Sequence, residues 1–172
     1  MPPPPDELGG HLDDLFPLLR EVARRYLDQW PSGHTLDSVA LVSEVYLRLS
    51  GDDRVRWNDE THFKAMFARV MRHTLVDHAR KKRAAKRGGD LVRVATYDIN
   101  QFPDELGHDQ LIALDDALQE LEHIDLEAMQ IIEYRFFGGG TLKEAAQALG
   151  MPYIRARRRW AYARVWLREK LT

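Results

Sequence analysis

The chain has 172 residues, enough for one medium domain or two small ones, and its 44% hydrophobic content is that of a folded globular protein. It has no cysteine, which excludes disulfides, thiolate metal sites and a cysteine nucleophile and fits a reducing cytoplasm; no apolar run is long enough to span a membrane. The net charge of −2 conceals a segregation: Arg80 to Arg93 holds seven Lys/Arg against one acid, Met151 to Lys170 holds seven against one, and ten Asp/Glu lie from Asp98 to Glu127. Local clusters of this kind set the local field whatever the total. A single basic run is often only a solvated helix face. Two of them, each closing a helical pattern, point to nucleic acid.

In chain order, Met1 to Pro5 reads as a short extended tail without the parts of a signal peptide. Leu12, Leu15, Phe16, Leu19, Val22 and Tyr26 recur at spacings of three and four, which predicts a first helix ending before Pro31-Ser32-Gly33. Leu41, Val42, Val45, Tyr46 and Leu49 predict a second, stopping near Ser50-Gly51. A polar loop carrying Trp57 follows. Phe63, Met66, Phe67, Val70, Met71, Thr74 and Leu75 then form one stripe on a third helix running to Arg80, capped by Asp59 or Asn58 and ended by Gly88-Gly89. Residues 90–107 read as a linker. Leu111, Leu114, Leu118 and Leu121 resume the helical period, a helix from Leu126 to Phe137 follows, and Gly138-Gly139-Gly140 breaks it. No alternating strand pattern occurs, so the predicted fold is all-α.

The strongest functional pattern is C-terminal. Thr141 with Glu144 makes a capping box ahead of a short helix to Leu149, and Leu149-Gly150-Met151 turns into a basic helix from about Pro152. That is a helix-turn-helix, whose second helix reads the major groove. Its candidate DNA contacts are Tyr153, Arg155, Arg157, Arg158 and Arg159, because a guanidinium fork binds guanine or phosphate at two points. Ala156, Trp160, Ala163 and Leu167 form the predicted inward face, and an ordinary basic hairpin is the bland alternative. In the third helix, Phe63 and Phe67 read as core. Trp57 and His62 are placed to touch unstacked bases, and Arg80, Lys81, Lys82 and Arg83 to hold phosphates.

His73, Asp77 and His78 suggest a metal, but a third or fourth convergent ligand is lacking, and Asp77 reads better as a partner of Lys81 or His73. Gly138 to Thr141 lacks the phosphate-loop pattern. No hydroxyl–histidine–acid set appears, so neither an enzyme, a cofactor nor a small-molecule substrate is expected.

ALVSEVYLRL at 40–49, FKAMFARVMRHTLVDHARKKRAAKRGG at 63–89 and FFGGGTLKEAAQALGMPYIRARRRWAYARVWLREKL at 136–171 resemble the extracytoplasmic-function sigma factors of the bacterial sigma-70 family, in the subgroup with LVDHAR and AAKRGG signatures. The resemblance implies a sigma-2-like domain over 10–88, an acidic linker over 89–110 and a sigma-4-like helix-turn-helix domain over 111–172. The first would dock on the β′ clamp helices of core RNA polymerase and melt the −10 promoter element. The second would read the −35 element and contact the β flap. By the same resemblance Arg72 and His73 join the −10 set, and Asp37, Leu41, Val42, Glu44 and Leu47 form the docking set.

The sequence departs from the family pattern at two places. The recognition helix has Arg155, Ala156 and Arg157 where the family has Thr-Val-Lys, and Asp37-Ser38-Val39-Ala40 stands where the family has Asp-Ala-Glu-Asp, so two docking acids are missing. A phosphate on Thr35, Ser38, Ser43 or Thr61 would restore about two charges, which makes a Ser/Thr kinase a candidate regulator beside an anti-sigma factor. The alternative function is a free-standing helix-turn-helix regulator with a protein-binding N-terminal domain.

Overall fold

The computed structural model describes residues 5–28, 30, 37–50, 59–85 and 107–171. Among them there are seven helices and no strand: α1 (Pro5–Asp28), α2 (Ser38–Ser50), α3 (Glu60–Ala85), α4 (His108–Ile124), α5 (Leu126–Phe137), α6 (Leu142–Ala148) and α7 (Tyr153–Leu171). The all-α expectation is met. Trp57, Thr35, the Leu12 side chain, Pro31-Ser32-Gly33 and the expected linker up to residue 106 lie outside the described residues.

The predicted stripes become the core, with exceptions. Leu15, Leu19, Val22 and Tyr26 of α1 and Leu41, Val42, Val45 and Leu49 of α2 are buried, whereas Phe16 and Tyr46 stay more than one-third exposed. In α3, Phe63, Phe67, Met71 and Leu75 are buried as the stripe requires. Asp59 is the residue that caps it: its Oδ1 accepts the His62 amide at 2.8 Å and the Thr61 hydroxyl at 2.7 Å.

α3 also has a second buried face that no apolar pattern announces. Lys64, Ala68 and Arg72, spaced by four, are 4%, 0% and 2% exposed and face the C-terminal half. Through that face α3 packs on α4, α5 and α6 as well as on α2. One apolar cluster therefore runs from α1 to α7, including Tyr26, Phe67 and Met71 from the N-terminal half and Leu118, Ile132 and Phe136 from the C-terminal half. Tyr26 stacks on Phe137 at 5.2 Å, and Trp30 tilts onto His108 at 4.4 Å.

The three glycines do more than stop α5. A Cβ on Gly140 would lie 2.0 Å from the Tyr134 ring, and one on Gly138 would lie 3.1 Å from the Ala68 Cβ. Gly139 has φ +65° and sits against Val22. The corner between α5 and α6 closes onto α1 and α3 because these positions lack side chains.

Candidate nucleic-acid interface

The helix-turn-helix forms from local signals. The Thr141 Oγ1 accepts the Glu144 amide at 3.2 Å, and the Glu144 carboxylate accepts the Thr141 amide at 2.8 Å, which is the expected capping box. Gly150 takes φ +65°, the left-handed turn that ends α6 and redirects the chain into α7. Ala156, Ala163 and Leu167 are fully buried, and two alanines let α7 approach its neighbours closely. Trp160 is half-buried. It meets Phe136 edge-on at 6.1 Å and carries the Arg135 guanidinium 4.6 Å above its ring.

The arginines of α7 divide into two kinds. Arg155 forms a two-point pair with Glu127, at 2.9 Å through Nε and 2.8 Å through Nη2. Arg159 reaches Asp125 at 2.6 Å and Glu127 at 3.3 Å. These two hold α7 against the α4–α5 corner, where Asp125 also caps α5 by accepting the Ala128 amide. Arg157 and Arg158 are exposed and have no ion pair among the described residues. With Tyr153, which is half exposed, they are the open part of the predicted reading surface.

The predicted α3 set is likewise split. Lys81 and Lys82 are exposed and have no ion pair among the described residues. Arg80 contacts Asp115 at 3.3 Å and Asp116 at 3.2 Å, and Arg83 lies 3.7 Å from Asp109. Arg72 is inside: its Nε donates to Asp115 Oδ1 at 2.7 Å and its Nη1 to Glu133 Oε1 at 3.0 Å. In this arrangement Arg72 reaches no DNA. Burial pushes the Glu133 carboxyl above the usual carboxylate range, and the Arg72 charge pulls it back. His73 lies on the surface of α3 with its imidazole held below the usual histidine range, first by partial burial and then by the Arg72 charge. His62 is half-buried in the first turn of α3.

The docking set is also unevenly placed. Leu41 and Val42 are core residues, 0% and 1% exposed, so they shape the α2 surface from beneath, while Leu47 is 68% exposed. Asp37 caps α2 by accepting the Ala40 amide at 2.7 Å. Glu44 pairs with Arg48 at 2.9 Å and with His78 at 3.0 Å. Asp77 reaches across to Arg48 at 3.6 Å rather than along its own helix to Lys81 or His73. The Glu44–Arg48 pair is an i,i+4 contact within α2, whereas α2–α3 packing brings His78 to Glu44 and Asp77 to Arg48, which helical spacing does not show. Among the hydroxyls, Ser38 Oγ accepts from Arg20 Nε at 3.3 Å, Thr61 donates to Asp59, and Ser43 is half-buried in α2.

The sequence family described as ECF sigma factor matches the chain over residues 8–172. No curated protein and no solved structure matches it. Among the described residues no helix is long and apolar enough to cross a membrane. With a match over nearly the whole chain, and a helix-turn-helix carrying open arginines within it, the protein belongs to the ECF sigma factors, the subunits that bind core RNA polymerase and promoter DNA to begin transcription.

Proposed function

We propose that the N-terminal half, residues 10–88, docks on the β′ clamp helices and opens the −10 element, and that residues 111–172 read the −35 element and touch the β flap. The observation that carries this reading is the α6–turn–α7 unit with Arg157 and Arg158 open on its outer face. Within the predicted α3 set, Lys81 and Lys82 are exposed and without an ion pair among the described residues, and Leu47 is the apolar residue most exposed on the docking helix. Reconstitution with core polymerase, followed by mapping of transcript starts, tests the reading. Promoter-dependent initiation with core enzyme, lost in an Arg157→Ala/Arg158→Ala variant, is the expected result. Sequence-specific duplex binding by the chain alone, with no initiation alongside core enzyme, would replace it with a free-standing regulator.

The docking surface is the proposed point of control, through a Ser/Thr kinase. Ser38 is the best-supported acceptor, since a phosphate there meets Arg20 and the N-terminus of α2. A phosphate on Thr61 would sit beside Asp59 and Glu60 and be repelled. Core-polymerase affinity before and after phosphorylation, in the native chain and in Ser38→Ala, decides it. Equal affinities in all four samples refute kinase control. An anti-sigma factor is the other regulatory partner of this surface, and co-purification from cells tests for it.

A further inference from the structure

We infer that the free chain is held in a closed, self-blocked state by an ionic latch, Arg72–Asp115–Glu133, sealed between its two halves. Three features carry the inference. The Arg72 side chain is 3% exposed, those of Asp115 and Glu133 are 5% and 7%, and all three lie where α3 meets α4 and α5. The cluster is satisfied: Asp115 also accepts from Arg80 at 3.3 Å and from Gln119 at 2.8 Å, so two cations face two acids. Outside the seal, Arg80 and Arg83 meet Asp116 and Asp109 on α4. The carboxylates of α4 thus lie against the basic side of α3 where phosphates would otherwise lie.

Such a contact suits a latch. Apolar faces gain nothing from water on separation, but three buried charges regain their hydration when parted, which offsets much of the ion-pair loss. Removing one sign alone is different, because it leaves the opposite charge stranded in the seal. The closed chain leaves Arg157 and Arg158 open while occupying Arg72, Arg80 and Arg83. It is therefore closed for strand opening and open for duplex contact. That consequence rests on the function proposed above; the closure does not, and the two are measured apart.

The test uses the full chain. It contains no cysteine, so Arg24→Cys and Lys143→Cys, on the exposed surfaces of α1 and α6, take a fluorescent donor and acceptor. High transfer in the free chain is expected. Asp115→Asn/Glu133→Gln should lower the closed population at least tenfold, whereas Arg72→Met/Asp115→Leu/Glu133→Met, which fills the seal with apolar groups, should keep it. Low transfer in the unaltered chain, or unchanged transfer in a folded charge-deleted variant, overturns the latch.

If the charge-deleted variant fails to fold, a Glu60→Cys/Glu144→Cys chain, whose native carboxylates flank Lys64 at 3.3 and 3.6 Å from the two sides of the junction, joined by a short cleavable bis-maleimide decides. Rapid joining, with initiation blocked until the linker is cut, supports closure. Slow joining or undiminished initiation refutes it. Adding core polymerase separates the two readings: transfer should fall. High transfer with polymerase bound refutes self-blocking, and absence of binding refutes the sigma assignment while leaving the closure standing.

Discussion

α3 and α7 are both basic helices, and the chain treats them in opposite ways. α3 buries ten residues, Lys64 and Arg72 among them, and its outer cations at 80 and 83 face acids of α4. α7 buries only Ala156, Ala163 and Leu167 and leaves Arg157 and Arg158 to solvent. A count of Lys and Arg would rank the two clusters as equal. What separates them is whether an acidic helix packs on the charged side, and that depends on tertiary contacts 26 to 61 residues apart in sequence. Basic composition locates a candidate binding helix; its facing neighbour decides whether the charge is available.

Four variants probe that contrast. Asp115→Ala/Glu133→Ala strands Arg72 in the seal without a counter-charge, and the closed form should lose about 3–5 kcal/mol, seen as a large drop in denaturant midpoint. The same change in an opened chain should cost little, since Arg72 is then hydrated. Gly140→Ala places a methyl into the Tyr134 ring, and overpacking of this kind costs about 1–3 kcal/mol; it tests whether the α5–α6 corner needs its missing side chains. On α7, Arg158→Ala should weaken promoter binding by about 1–3 kcal/mol with the melting temperature unchanged, while Arg155→Ala, which removes the pair with Glu127, should lower the melting temperature as well. Equal thermal stability in both would erase the division of the arginines.

The smallest effect concerns pH. The folded chain holds His73 below its usual value of 6.5, so the unfolded chain binds the proton more readily. Stability is then fully present above pH 6.5 and declines as pH falls below it. His73→Asn should flatten that part of the stability profile, read by thermal melts between pH 7.5 and about 5.5. A slope unchanged by the substitution would assign the acid sensitivity elsewhere.

Much of this molecule is legible in its sequence because much of it is local. The bounds of α5, the Thr141–Glu144 box and the Ala156, Ala163 and Leu167 face all follow from spacings within one or two turns. The second face of α3 does not, because Lys64, Ala68 and Arg72 look like a solvent side until α5 is laid upon them. The pairing of Arg155 and Arg159 with Glu127 and Asp125 is hidden for the same reason: charges of opposite sign 28 and 34 residues apart carry no periodicity. Gly138 to Gly140 announce a break through their chemistry, but a close approach allowed by an absent Cβ leaves no mark in the residues around it. Arg72 carries the sharpest lesson. Family likeness put it beside DNA, and the fold puts it between two carboxylates.

One hydrogen bond gives the junction a clock. The Tyr26 hydroxyl donates to the Phe136 carbonyl at 2.7 Å across 110 residues, and Phe136 lies in the last turn of α5, where carbonyls have no partner within their own helix. The end of α5 is thus finished by a side chain borrowed from α1. When the halves part, that turn frays before the helix does, and its amides become open to exchange with solvent deuterium. Exchange at Phe137 and Gly138, the latter bonded to the Tyr134 carbonyl at 3.0 Å, followed against time, therefore reports separations of α1 from α5 in a chain carrying no attached probe.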